Sequence, residues 1–230
     1  MQDPPAGARA ALRGAGAAAG RFPSWARPLD ALFRFLAPAE PPRAADAIFV
    51  YAGQQERKEY GVSLWRAGLA PTLILSIGRF EWRRVAALGL PDDGGLLPLV
   101  EATPAPERHF LLALEAGRAR AWRVPRGPFG TATETWALLD TVGGRGLHTV
   151  LVVSTGPHLR RIRISLRRLG PEGSPRFILV AVPEERTVHP RAGWWARPET
   201  RRVVASEAAK CAGYALLPRR LLIPLRPPAA

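Results

Sequence analysis

The chain has 230 residues, 47% of them hydrophobic and 23% charged, with 33 basic against 19 acidic side chains and a formal net charge of +14. That length suits one domain or at most two with a sizeable core, and the apolar fraction excludes wholesale disorder. The single cysteine, Cys211, excludes an internal disulfide framework and a cysteine-built zinc site, and no apolar run is long enough to span a membrane.

Residues 1–26 are rich in Ala, Gly and Arg without periodicity and are expected to form a disordered tail. Arg9 and Arg13 interrupt the apolar stretch that a secretory signal needs. Leu29, Leu32, Phe33 and Leu36 recur at helical spacing, so residues 27–44 read as an amphipathic helix followed by a stiff P-A-E-P-P-R linker. That helix is expected to pack on the main body. The alternative rests Trp25, Phe33, Phe35 and nearby arginines on an anionic membrane surface. Residues 45–218 read as the folded domain and 219–230 as a Pro/Arg-rich tail.

Within the domain, apolar runs alternate with helical patterns. Ala47–Tyr51 and Thr72–Ile77 read as buried strands, with a helix over Glu56–Ala67 between them. Helices are predicted over Glu81–Leu88 and Pro104–Ala116, placing His109 inside a helix. Ala119–Val124 is a weaker strand, Thr133–Val142 a helix, and His148–Val153 and Phe177–Val182 strands. Between these last two, Leu159, Ile162, Leu166 and Leu169 stripe one helix face. Arg160, Arg163, Arg167 and Arg168 of that helix are expected to be solvated. A final helix runs over Glu199–Leu217. Strands apolar throughout and separated by helices imply an open, doubly wound, mostly parallel α/β sheet in three layers, Rossmann-like, with helices on both faces.

In such a fold a ligand sits beyond the carboxyl ends of the strands. There the sequence places Gly53 and Arg57 after the first strand, Ser76, Gly78 and Glu81 around the end of the second, Thr131 and Glu134 after the third, and Ser154, Thr155, His158 and Arg161 after the fourth. Gly53 and Gly78 fit either a tight turn or close approach to a ligand. Thr131 and Glu134 have capping-box spacing, and Ser154 or Thr155 could cap the helix entered through Pro157. Capping leaves His158 and Arg161 unexplained. At this spacing they share the first helical turn, where Arg161 would clamp an anion and His158 would donate a bond or shuttle a proton. The candidate acid–base pair is His158 with Glu134. No phosphate-loop signature, G-x-G-x-x-G, metal-binding histidine pair or G-x-S-x-G elbow is present, so no metal site is expected. Cys211 reads as a small buried residue, and Trp194-Trp195 as a lid or packing element.

The succession A-D-A-I-F-V-Y-A-G, W-R-A-G-L-A-P-T-L-I-L-S-I-G, G-T-A-T-E-T and V-V-S-T-G-P-H-L-R-R resembles the bacterial YdcF/SanA/ElyC family, over about residues 45–182. The resemblance implies a Rossmann-like domain with a polar pocket formed by Gly53, Arg57, Ser76, Gly78, Glu81, Thr131, Glu134, Ser154, Thr155, His158 and Arg161. It further implies an envelope or cell-wall role, and in one branch S-adenosylmethionine as cofactor. Gln54 and Ile77 depart from the glycines usual in that family and weigh against phosphate cradling by the first two loops. The leading expectation is a domain that binds a small anionic or nucleotide-like ligand, with hydrolysis or group transfer on a phosphorylated or glycan-lipid substrate as its chemistry. It is expected in the cytoplasm, with candidate peripheral contact at the inner membrane. The rival expectation is an arginine-rich electrostatic adaptor for nucleic acid or anionic membrane, in which binding weakens steeply with salt.

Overall fold

A computed structural model describes residues 24–143 and 145–223. Six strands form one sheet: β1 (Ala47–Val50), β2 (Thr72–Ile77), β3 (Phe110–Glu115), β4 (Arg118–Arg123), β5 (Thr149–Ser154) and β6 (Arg176–Ala181), in the order β4-β3-β2-β1-β5-β6. β1 pairs in parallel with β2 and β5, and β5 with β6. β3 alone runs the other way, antiparallel to both β2 and β4. The helices are α1 (Arg27–Leu36), α2 (Gln55–Arg66), α3 (Leu96–Ala102), α4 (Gly130–Gly143), α5 (Leu159–Leu169), α6 (Pro198–Leu216) and α7 (Arg219–Leu222).

Two apolar layers sandwich the sheet, because alternate residues of each strand point to opposite faces. On one face Ile48, Val50, Leu73, Leu75, Leu151 and Val153 pack against α2 and α3 through Leu64 and Val100. On the other, Phe49, Val150 and Val152 meet Leu138 of α4 and Ile162 and Leu166 of α5. This is the mostly parallel three-layer α/β architecture that the alternating apolar runs predict.

Several local expectations are corrected. Residues 104–116 are not a helix: a 3-10 turn at Ala105–Glu107 leads into β3, whose first five residues are buried. Ala116 and Gly117, with φ of 48° and 76°, close the β3–β4 hairpin, since two consecutive left-handed residues match the twist of paired strands. Glu81–Leu88 forms two 3-10 turns in place of one helix, and α3, not foreseen, follows. Ser24–Ala26, assigned to a disordered tail, form a helical turn with Ala26 buried; residues 1–23 lie outside the described residues. At the other end α7 occupies part of the expected Pro/Arg tail, with Leu222 buried, and residues 224–230 lie outside the described residues.

α1 packs on the body as expected, forming an outer layer with α6. Phe33 and Leu36 bury against Trp194, Val204 and Cys211, which makes Trp194 a packing element and Cys211 a buried apolar residue. Phe33 is therefore withdrawn from any membrane-facing surface. Asp30, also buried, anchors α1 by accepting from Arg191 Nε and Nη2 at 2.5 and 2.9 Å and from Arg34 Nε at 2.8 Å. Arg160, Arg163 and Arg168 of α5 are tied to main-chain carbonyls, whereas Arg167 is solvated as expected. Arg160 donates to the Phe35 carbonyl at 2.6 Å, and Arg168 to those of Tyr214 and Ala215 at 2.7 and 2.6 Å. Only Arg167 of the four is exposed. Among the described residues no helix is long and apolar enough to cross a membrane.

Candidate functional site

The strand order brings the carboxyl ends of β1, β2, β4 and β5, and the start of β3, to one edge of the sheet. All eleven candidate residues lie along that edge, and their side chains form two hydrogen-bonded groups joined through Arg57.

The first group centres on Glu134. Its Oε1 accepts from Ser76 Oγ at 2.6 Å and from the Ala52 amide at 2.7 Å. Ser76 thus spends its proton on the carboxylate and accepts from His109 Nε2 at 2.9 Å, which fixes the proton of His109 on that nitrogen. Burial pushes the Glu134 carboxyl up to about 6, because two neutral donors only partly replace the lost water. The same desolvation brings His109 down to about 4. Beside them Glu81 accepts from the Gly53 amide at 2.8 Å and from Lys58 Nζ. The backbone at Gly53 explains that glycine without a ligand. Gly53 sits at φ 131°, and a Cβ there would lie 2.7 Å from Arg57 Nη1; a Cβ on Gly78 would lie 2.6 Å from Glu81 Oε1.

The second group centres on His158, in the 3-10 turn that precedes α5. Its Nδ1 lies 2.9 Å from Ser154 Oγ and its Nε2 3.1 Å from Thr131 Oγ1, which also accepts from Arg161. Burial first, then the charges of Arg57 and Arg161, hold this imidazole well below its ordinary range, so it is neutral at physiological pH. Thr131 and Glu134 therefore reach across to other elements and do not form a capping box. Neither Ser154 nor Thr155 caps the following turn; Thr155 Oγ1 accepts from Arg57 Nη2 at 2.8 Å.

Arg161 does not present an empty fork. Its Nε and Nη2 hold the Glu207 carboxylate at 2.8 and 2.9 Å, a bidentate pair contributed by α6. His158 and Glu134, the expected acid–base pair, belong to separate hydrogen-bonded groups. Tyr51 stands near both, edge-on to the His158 ring with centroids 5.9 Å apart, while no hydrogen bond among the described residues joins them. Arg57 links the two groups, donating through Nη1 to the Ala52 carbonyl and through Nη2 to Thr155. It is nine-tenths buried, and its Nε has no partner among the described residues.

No family model matches the chain, and no curated protein or solved structure matches it significantly. Its chemistry therefore rests on the side chains at this edge. Four cations (Arg57, Lys58, Arg161, Lys210) face three carboxylates (Glu81, Glu134, Glu207), a set in which Glu134 is the one carboxylate bonded by neutral donors alone. Among the described residues no cluster of His, Cys, Asp and Glu is arranged to hold a metal ion. A cleft of about 170 Å³ opens at the β5–β6 side of the edge, lined by Phe33, Ala37, Gly156, Val182, His189 and Arg191 among others.

Sequence reasoning missed His109, Lys58 and Glu207. His109 was hidden by the helix assigned across it; reading F-L-L-A-L before an Ala-Gly turn as a strand would have placed it at the entry of a strand, and that strand pairs with the one carrying Ser76. Lys58 carried a faint signal as one of only two lysines in an arginine-rich chain. Nothing local marks Glu207, which reaches the edge from a distant helix.

Proposed function

We propose that this edge binds a small anionic ligand of the phosphate-bearing or nucleotide-like class, with Arg57 as its principal charge and Glu134 as the proton acceptor beside it. The observation that carries the proposal is the buried Arg57 guanidinium with an unpartnered Nε. An N–H left without an acceptor away from water costs about 1–3 kcal/mol, and an anionic oxygen would remove that cost. Thr155 and the loop after Gly53 supply neutral donors around it, and the adjoining cleft takes the less polar part of the ligand. Hydrolysis or group transfer on a phosphorylated or glycan-lipid substrate is the chemistry such a site would support, because Glu134, poised near neutrality, takes a proton from an attacking hydroxyl. The resemblance to the YdcF/SanA/ElyC family belongs to the same proposal, with the bacterial envelope as its setting.

Calorimetric titration with inorganic phosphate and a panel of nucleoside phosphates tests this reading. Binding is expected to fall by about tenfold or more in Arg57→Gln, the loss of one charge-assisted contact. An anion placed here disfavours the ionised form of Glu134, so binding takes up a proton and affinity rises as pH is lowered through about 6. Equal affinity in wild type, Arg57→Gln and the His158→Ala/Arg161→Ala double variant defeats the proposal.

A further inference from the structure

β6 ends the sheet, and the far edge of that strand has no strand neighbour among the described residues. An exposed strand edge is a template for a further extended segment. The chain itself uses part of this one: in the linker after α1, the Glu40 amide donates to the Leu179 carbonyl at 2.7 Å. Charge accompanies that bond. The Glu40 carboxylate lies 3.7 Å from Arg176, and Arg163 of α5 donates to the Pro38 carbonyl at 3.4 Å. The edge of β6 thus already accepts one main-chain bond from the linker, with Arg163 and Arg176 flanking it.

Next to this contact lies a groove of about 440 Å³ between α5 and β6, lined by Arg163, Leu166, Arg167, Phe177 and Leu179 and closed by the Gly170–Ser174 turn. Leu166, Phe177 and Leu179 underlie it, its exposed lining is more polar than apolar, and its α5 wall carries two arginines one helical turn apart. Neither arginine is paired with a carboxylate among the described residues, and Arg167 is exposed. The outward direction of the Leu179 carbonyl sets the parity of the strand. The main-chain groups of Phe177, two residues earlier, face the same way, whereas the Arg176 amide turns inward to the His148 carbonyl at 2.8 Å. An open main-chain edge and a basic wall therefore meet along one line.

We propose that this groove binds an extended acidic peptide segment of a partner protein, which adds to the outer edge of β6 beyond the linker and places its carboxylates against Arg163 and Arg167. Main-chain bonds along β6 supply affinity, and the two arginines select for acidic side chains. This surface is separate from the edge that carries Arg57 and Glu134.

The test uses the full chain and a short fluorescein-labelled peptide of alternating glutamate and valine, followed by anisotropy. The peptide is expected to bind, and Arg163→Gln/Arg167→Gln is expected to weaken it about tenfold, as loss of two partly exposed charge pairs implies. The matching lysine–valine peptide should not bind. N-methylation of alternate peptide amides should abolish binding when it falls on the face that meets β6 and leave it intact on the other, a readout independent of how well any protein variant folds. Absence of binding, equal binding of the lysine peptide, or indifference to N-methylation on both faces overturns the proposal. So does preferential capture of single-stranded DNA or of phosphatidylglycerol vesicles through the same arginines.

Discussion

Glu134 and Glu207 are both buried glutamates at the same edge of the sheet, and their surroundings make them different groups. Glu207 lies in a fork of Arg161, with Lys210 adding a second cation at 3.2 Å, so its charge is matched. Glu134 is met by a hydroxyl and an amide, which satisfy hydrogen bonding without supplying positive charge. One carboxylate is a strut that holds α6 to α5 and orients Arg161 on Thr131. The other is a proton acceptor poised close to neutral pH. Burial alone does not decide which role a carboxylate takes; the charge of its donors does.

The largest effect expected from breaking this contrast comes from the strut. Glu207→Ala leaves Arg161 buried without its counter-ion, and denaturant unfolding should show a loss of about 3–5 kcal/mol. Removing both charges as Arg161→Met/Glu207→Leu should recover most of it, because a buried pair costs desolvation that an apolar pair avoids. If the single and double variants are equally unstable, the strut is not electrostatic.

The next effect belongs to the proton-exchanging side. His109 binds its proton at about 4 in the folded chain against 6.5 when unfolded. Its share of stability is whole above pH 6.5 and is lost as pH falls through about 4, a loss of about 3 kcal/mol. His158, also depressed, acts in the same direction. In His109→Gln the slope of unfolding free energy against pH across this window should fall by about 1.4 kcal/mol per pH unit, one proton's worth. An unchanged slope would mean that His109 is already charged in the fold.

How far this contrast was legible beforehand depends on the range of the interactions involved. Runs such as T-L-I-L-S-I and H-T-V-L-V-V reveal parallel strands because burial on both faces leaves no polar alternation, and with the strands come their carboxyl-end residues. Ser76, Thr131, Glu134, Ser154, Thr155 and His158 were therefore placed at one edge from sequence. What each touches was not, because those partners arrive from elsewhere in the chain. Glu207 is 46 residues from Arg161, and Ser76 is 33 from His109. The helix expected over Pro104–Ala116 failed for a local reason: Phe110, Leu111 and Leu114 fit helical spacing as well as a buried strand, and only the Ala116-Gly117 turn separates the two. Capping motifs misled in a similar way. Thr131 and Glu134 have the right spacing to serve their own helix, but buried partners across the edge take both side chains.

The smallest of the three effects sharpens the contrast most directly. The Glu134 carboxyl sits at about 6 in the fold against an ordinary 4.5, the opposite displacement in sense from His109. Its favourable share is present below pH 4.5 and is lost as pH rises through 6, about 2 kcal/mol. Between pH 6 and 4.5 this gain on acidification offsets most of the His109 loss, so the wild-type stability profile should be flatter than either group alone would make it. Glu134→Gln keeps an acceptor for Ser76 and the Ala52 amide but removes the titration. Acid denaturation of this variant should therefore begin at higher pH than in wild type, with a visible slope from 6.5 downward. In the His109→Gln/Glu134→Gln double variant both slopes should disappear and leave the contributions of His158 and His189. A Glu134→Gln profile that overlays wild type would place the Glu134 proton elsewhere and would erase the distinction from Glu207.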